Sequence, residues 1–163
     1  MKNILIIGGT KGIGKSIVDN LVDDNNITCL SRNKLDFQHQ NFVHKEFDAL
    51  TDEYPEMDSL DCLIYCPGSI NLKPISTLTL EDFRNDFEIN VIGAVKAIKK
   101  YLPLLKKSLS ASILLFSTVA TKLGMPYHAS VSVAKSGVDG LVKTLGSELA
   151  PKVRINAIAP TIT

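Results

Sequence analysis

A glycine-rich turn near the amino terminus constrains the fold of this chain more than any other feature of its sequence. The short apolar run at residues 4–7 is ended by glycine, which is typical of a strand buried on both faces of a parallel sheet. Apolar residues then recur at helical spacing from Ile13 to Val22, so the turn joins a strand to a helix. Such a turn lets the backbone approach a diphosphate beside the free N–H groups of the helix. The sequence therefore predicts a dinucleotide-binding site that includes Gly8, Thr10, Lys11, Gly12, Ile13 and Gly14.

Strands and helices alternate along the rest of the chain. Apolar runs predict five further strands, at residues 27–30, 42–47, 61–66, 113–116 and 153–159. Helical periodicity predicts a long helix at about residues 80–100 and another at residues 129–149. Repeated units of strand, crossover and strand favour right-handed connections and a parallel sheet. We therefore expect residues 1–163 to form a single α/β domain, a Rossmann-type doubly wound parallel β-sheet with helices on both faces.

Charge and cysteine content narrow the range of partners. The formal net charge of +1 gives no reason to expect nucleic acid or a membrane surface, and no apolar run is long enough to span a bilayer. A small molecule is therefore the expected ligand. The three cysteines are too few and odd in number for a disulfide framework, and Cys62 and Cys66 lack the spacing of a metal pair. Without a secretion signal at the amino terminus, we expect a cytoplasmic protein with no metal site.

Six further segments of the chain belong to the same sequence pattern as the glycine turn. In chain order they are Asp48-Ala49, Cys66-Pro67-Gly68, Asn90-Val91-Ile92-Gly93, Ser117-Thr118, Lys135 and residues 154–163. Together with the spacing Gly-x-x-x-Gly-x-Gly, they resemble the short-chain dehydrogenase/reductase family over essentially the whole chain. The resemblance implies an oxidoreductase that acts on a carbonyl or alcohol substrate with a nicotinamide cofactor. It implies additional cofactor contacts at Asp48, Ala49, Cys66, Pro67, Gly68, Asn90, Lys135, Pro160 and Ile162.

The residues after the second predicted strand bear on the choice of cofactor. An acidic residue there would bind the ribose 2′-hydroxyl of NAD, whereas a basic residue accepts the 2′-phosphate of NADP. This chain has Ser31-Arg32-Asn33, and Lys11 in the glycine turn can approach the same group. We therefore predict NADP(H) rather than NAD(H). In the alternative interpretation, Arg32 and Lys11 are simply solvated surface cations.

The catalytic group that the resemblance implies is altered in this chain. In the family, a tyrosine donates a proton to the substrate and a lysine four residues later lowers the pKa of that tyrosine. The resemblance gives Asn90, Thr118 and Lys135 as catalytic residues, but Val131 occupies the position of the tyrosine. Thr118 lies thirteen residues before Val131, which is the usual spacing of the family. Loss of a general acid typically costs about 10² to 10⁴ in rate.

Three interpretations of this altered site remain open. In the first, Tyr127 or His128 supplies the proton, although neither has the family's spacing to Lys135. In the second, solvent supplies the proton to a substrate that needs little help. In the third, the chain is a pseudoenzyme that binds NADP(H) for regulation or assembly.

The end of the chain also departs from the family pattern. The chain stops shortly after Pro160, where the family continues into a segment that covers the substrate. We therefore expect either a fragment of a longer protein or an open site, and the sequence favours no particular substrate. The resemblance further implies a homodimer or homotetramer, formed through the helices that carry Asn90 and Lys135.

Overall fold

A computed structural model of the protein describes residues 1–161, and these residues fold around one parallel β-sheet. The strands of the sheet are β1 (Asn3–Ile7), β2 (Asn26–Ser31), β3 (Phe42–Glu46), β4 (Cys62–Tyr65), β5 (Ser112–Phe116) and β6 (Arg154–Ile158). The helices are α1 (Gly12–Leu21), α2 (Leu80–Phe87), α3 (Gly93–Leu105), α4 (Ala120–Leu123) and α5 (Ala129–Leu149). A π-helical turn, Glu88–Ile92, connects α2 to α3.

The order of the strands places a crevice at the centre of the sheet. Neighbouring strands are parallel, and their spatial order is β3-β2-β1-β4-β5-β6. The chain moves outward from β1 to β3 and then returns to β4 on the other side of β1. In sheets of this kind, ligands bind in the crevice outside the carboxyl ends of the strands at such a reversal. The predicted doubly wound parallel sheet is confirmed.

Alternate side chains of β1 enter two separate cores, one on each face of the sheet. Leu5 and Ile7 belong to the core that includes α3 and α5, whereas Ile4 and Ile6 pack with Val18 of α1. None of these five side chains is more than 4% exposed. Burial of each large aliphatic side chain contributes about 1.5–3 kcal/mol, so β1 is firmly anchored in both layers. The glycine turn that follows β1 therefore starts from a rigid base.

The region predicted as one helix at about residues 80–100 is longer and less regular than its periodicity indicates. It begins with a capping box formed by Thr79 and Asp82, and it runs to Leu105 with Pro103 inside α3. The π-helical turn in its middle carries Asn90, which is 2% exposed. Periodicity does not predict α4, because four residues are too few to show a helical repeat. Within residues 1–161, no helix has both the length and the apolar character that crossing a membrane requires.

Candidate functional site

The glycine turn brings the amino end of α1 against the end of β1. Gly8 has a φ of 81°, a conformation that favours glycine, and a Cβ on Gly8 would lie 3.2 Å from Pro67 Cδ. A Cβ on Gly14 would lie 2.2 Å from the carbonyl oxygen of Gly8, so glycine at this position allows α1 to start directly over the turn. The first turn of α1 contains no acidic side chain. Its first N–H groups have no intrahelical partner, and together with the helix dipole they favour binding of an anion.

A cavity of about 300 Å³ opens beside the glycine turn at the carboxyl ends of β1 and β2, and we call it the β2-side cavity. It brings together predicted cofactor contacts from four segments of the chain: Gly8, Thr10, Lys11, Ser31, Arg32, Asn33, Asp48, Ala49, Cys66, Pro67 and Gly68. Sequence reasoning missed four of its lining residues, which are Ile7, Leu30, Phe47 and Ile89. All four are apolar, so only their position near the strand ends or in the π-helical turn could have marked them.

The loop after β2 presents a cation at the rim of the β2-side cavity. The Ser31 hydroxyl donates to the carbonyl oxygen of Asn33 at 2.9 Å and lies 2.9 Å from His44 Nε2, so this hydroxyl shapes the loop. Arg32 is exposed, and it forms no ion pair within residues 1–161. Lys11, also exposed, lines the same cavity. Two positive side chains therefore border a cavity that suits a ligand with phosphate groups.

A second cavity of about 300 Å³ lies between the glycine turn and the end of β5, and we call it the β5-side cavity. It shares Gly8, Lys11 and Cys66 with the β2-side cavity, so the two cavities adjoin at the glycine turn. Its other lining residues are Ile13, Gly14, Phe116, Ser117, Lys135 and Pro160. Of the three remaining predicted contacts, Gly12 lies in the turn but lines neither cavity, Asn90 also lines neither, and Ile162 falls outside the described residues.

The polar side-chain atoms of Lys135 and Asn90 both lie next to Gly68. The ammonium group of Lys135 donates to the carbonyl oxygen of Phe116 at 2.7 Å, and burial lowers the pKa of Lys135 to about 8. A Cβ on Gly68 would lie 3.3 Å from Lys135 Nζ and 3.0 Å from Asn90 Oδ1, so these two polar atoms flank the same point. The structure thus brings two of the three predicted catalytic residues together.

Thr118, the third predicted catalytic residue, does not line the cavity of Lys135. Its Oγ1 accepts a hydrogen bond from the N–H of Ala120 at 3.3 Å, and it lines neither of the two cavities. Ser117 does line the β5-side cavity; it is 4% exposed, and its hydroxyl has no hydrogen-bond partner within residues 1–161. The sequence shows two adjacent hydroxyls and does not reveal which one faces the cavity. Val131 is buried at 4% exposure, one helical turn before Lys135.

The two candidates for a substitute acid line a different cavity. Tyr127 is 60% exposed with a φ of 65°, and the Nδ1 atom of His128 lies 2.6 Å from the carbonyl oxygen of Pro126. Both line a cavity of about 520 Å³ whose lining does not include Lys135. Its other lining residues are Lys73, Pro74, Ile75, Ala120, Gly124, Met125, Ala129 and Ser132. The structure therefore does not bring Tyr127 or His128 into the cavity of Lys135.

Comparisons with known proteins identify relatives with a similar sequence and fold. The family model described as enoyl-(acyl carrier protein) reductase matches residues 9–163. A 3-oxoacyl-(acyl-carrier-protein) reductase of Buchnera aphidicola is 27% identical over 98% of this chain and 72% of its own length. The solved structure of ElxO with NADP bound has a TM-score of 0.89 and 27% identity, covering 99% of this chain and 74% of that chain. A solved variant of ElxO, with phenylalanine in place of a tyrosine and with NADPH bound, has a TM-score of 0.87 and 25% identity over the same shares.

These matches cover nearly the entire length of the chain, and the matching solved structures share its fold. The sequence-based family resemblance is thereby confirmed. The chain belongs to the short-chain dehydrogenase/reductase family of oxidoreductases.

Proposed function

We propose that this chain binds NADP(H) along the β2-side and β5-side cavities and interconverts a small carbonyl compound and its alcohol. One observation carries the proposal: the two cavities meet over the glycine turn, with Arg32 on one and Lys135 on the other. A dinucleotide has a diphosphate between its two nucleoside halves. The meeting point offers that diphosphate the N–H groups of α1 and the side chain of Lys11.

The preference for NADP(H) over NAD(H) rests on the two cations of the β2-side cavity. The guanidinium group of Arg32 can form a forked contact with a 2′-phosphate, and Lys11 adds a second positive charge. The structures of ElxO with NADP and with NADPH bound support this choice, because they share the fold and 25–27% of the sequence. NAD(H) is the alternative that the titration below tests.

Proton supply in the proposed reduction falls to Lys135. When bound, NADPH supplies a hydride to the carbonyl carbon, and the carbonyl oxygen must then gain a proton. Val131 has no proton to donate, whereas Lys135 has a pKa lowered to about 8 and releases a proton readily near neutral pH. We assign the hydrogen bond to the carbonyl oxygen to Ser117 rather than Thr118, because Ser117 lines the same cavity as Lys135.

Val131 supports a second candidate, a pseudoenzyme that binds NADP(H) without turnover. Without the tyrosine, the usual mechanism of the family loses about 10² to 10⁴ in rate. The ElxO variant with phenylalanine in place of a tyrosine has NADPH bound, so in that protein this replacement is compatible with cofactor binding. Occupancy by NADP(H) would then serve regulation or assembly. For both candidates, we keep the prediction of a homodimer or homotetramer formed through the helices that carry Asn90 and Lys135.

Calorimetric titration of the full chain with NADPH and with NADH tests the proposal. The Arg32→Ala variant should bind NADPH about 10- to 100-fold more weakly, because a hydrogen bond to a charged group contributes about 1.5–3 kcal/mol, and it should bind NADH unchanged. Lys34→Ala is the matched control, since Lys34 is an exposed cation two residues away that lines neither cavity.

An equal loss of affinity in both variants, or equal affinity of the unaltered chain for NADPH and NADH, would contradict the assignment of NADP(H). A screen of carbonyl compounds and alcohols with the bound cofactor then distinguishes the two candidates. Consumption of NADPH by at least one carbonyl compound supports the enzyme, whereas tight binding without turnover across the panel supports the pseudoenzyme.

A further inference from the structure

A fully buried carboxylate lies behind the pair formed by Asn90 and Lys135. Asp86 in α2 is 0% exposed, and it forms no salt bridge within residues 1–161. Its Oδ1 accepts hydrogen bonds from Ser69 Oγ at 2.5 Å and from Asn71 Nδ2 at 2.9 Å. Burying a carboxylate is costly unless hydrogen bonds or nearby positive charge compensate. The position therefore calls for a physical reason beyond packing.

The hydrogen bonds of Asp86 determine which end of the Asn90 side chain faces Lys135. A carboxylate can only accept hydrogen bonds, so the Ser69 hydroxyl donates its single proton to Asp86. Toward Asn90, the Ser69 oxygen therefore acts as the acceptor, and Asn90 Nδ2 donates to it at 3.3 Å. Asn90 Nδ2 also donates to the backbone carbonyl of Asp86 at 2.8 Å. The NH₂ end of the amide is thereby held toward Asp86. The amide oxygen of Asn90 then faces the space beside Gly68, which Lys135 Nζ also borders.

The charge of Asp86 also acts on Lys135. Two titratable groups influence its pKa electrostatically, the Cys66 thiol after β4 and Asp86 in α2, and Lys11 lines the same cavity from the glycine turn. Burial raises the pKa of the Cys66 thiol to about 12, so this thiol is neutral at physiological pH. Lys11 carries the same sign of charge as Lys135. Asp86 is therefore the group in this set that supplies negative charge to balance the ammonium group.

We propose that Asp86 is a positioning residue for this site: its carboxylate holds the amide oxygen of Asn90 toward Lys135 and provides the counter-charge of the Lys135 ammonium group. The catalytic meaning of this arrangement rests on the proposed function, in which Lys135 supplies a proton. The hydrogen-bond chain orients Asn90, and the charge of Asp86 favours the ammonium form of Lys135, whether or not turnover occurs. Asp86 thus acts through Asn90 and Lys135 and does not touch the reacting atoms.

Competitive labelling of the full chain without cofactor tests the charge directly. Trace acetic anhydride reacts with the free amine of Lys135, so its labelling rate against pH, measured by mass spectrometry, reports the midpoint of its titration. In Asp86→Asn, the negative charge that favours the ammonium form is removed, and the midpoint should move to lower pH by about half a pH unit or more. Glu88→Gln removes the same charge from an exposed position two residues away and should leave the midpoint unchanged.

Two further variants distinguish charge from disruption of the structure. Ser69→Ala keeps the carboxylate, so the midpoint of Lys135 should stay near that of the unaltered chain. If Asp86→Asn does not fold, Asp86→Ser removes the charge with a smaller side chain and should give the same downward shift. An unmoved midpoint in the folded Asp86 variant, or an equal shift in Ser69→Ala, overturns the proposal.

Turnover gives a second and separable readout. If the chain reduces a carbonyl compound, the loss of kcat at high pH should begin at lower pH in Asp86→Asn than in Glu88→Gln, with KM for NADPH little changed. If kcat falls at the same high pH in both variants, the role of Asp86 is overturned even when turnover itself is confirmed. A shifted labelling midpoint without turnover on any carbonyl compound would support the role of Asp86 as counter-charge and count against the proposed enzyme.

Discussion

Replacement of Gly14 by Ala should weaken cofactor binding by at least about 10-fold and cost the fold a comparable free energy. The new Cβ would lie 2.2 Å from the carbonyl oxygen of Gly8 and 3.1 Å from Gly9 Cα, whereas real Cβ atoms essentially never approach closer than 3.0 Å. These neighbours are backbone atoms, so they cannot rotate away as a flexible side chain would. The amino end of α1 must therefore move away from the turn by about 1 Å.

The size of the effect follows from this displacement. Overpacking of this kind costs about 1–3 kcal/mol of folding stability. Each hydrogen bond from a first-turn N–H to a charged phosphate contributes about 1.5–3 kcal/mol, and its energy falls steeply with distance and misalignment. Loss of one such bond weakens NADPH binding by about 10- to 100-fold. Loss of two would bring the weakening beyond about 100-fold.

The assay combines NADPH titration with thermal unfolding of the same samples. Gly140→Ala is the matched control, because a Cβ on Gly140 in α5 meets no atom within 4 Å. This control should gain up to about 1 kcal/mol of stability from helix propensity and bind NADPH as the unaltered chain does. A folded Gly14→Ala variant that binds NADPH with unaltered affinity would refute the argument that backbone groups at this turn hold the diphosphate.

Two further changes address proton transfer. Val131→Tyr restores the hydroxyl of the family's general acid and should raise kcat by about 10² to 10⁴ in a turnover assay; Val131→Phe, with the same bulk and no hydroxyl, should give no gain. An equal effect of both aromatic variants would show that bulk rather than proton donation matters. Tyr127→Phe and His128→Ala should change kcat by no more than about twofold, because both side chains line a cavity whose lining does not include Lys135. A loss of about 10²-fold in kcat in either variant would identify that residue as the missing acid.

The long and strongly patterned elements could be predicted from the sequence. The strand β1 could be predicted because four consecutive apolar residues are ended by glycine, and α5 because its period extends over 21 residues. The π-helical turn Glu88–Ile92 could not, since it interrupts a helix without changing the pattern of apolar residues that surrounds it. The glycine turn was predictable for a different reason, because its backbone geometry requires particular residues at fixed positions.

Polar residues of the site divide according to how far away their partners lie in the sequence. The position of Arg32 at the β2-side cavity could be predicted, because a basic residue directly after β2 is enough to suggest contact with a phosphate. Asp86 was not, because its partners Ser69 and Asn71 lie 17 and 15 residues away and only the fold brings them together. The burial of Ser117 was not predictable for a related reason, since its N–H donates to the carbonyl oxygen of Ile158, 41 residues away at the end of β6.

The replacement of tyrosine by Val131 has a second consequence, through the lysine. Residues four apart on a helix are neighbours, so the side chain at position 131 helps to form the surroundings of Lys135. Burial is the main cause that lowers the pKa of Lys135 to about 8. A buried valine offers the ammonium group no hydrogen bond, whereas a tyrosine hydroxyl could. A lysine with this pKa is a stronger acid than an ordinary one. Under the proposed function, a chain without the family's tyrosine thus retains a lysine whose lowered pKa suits it to supply the proton.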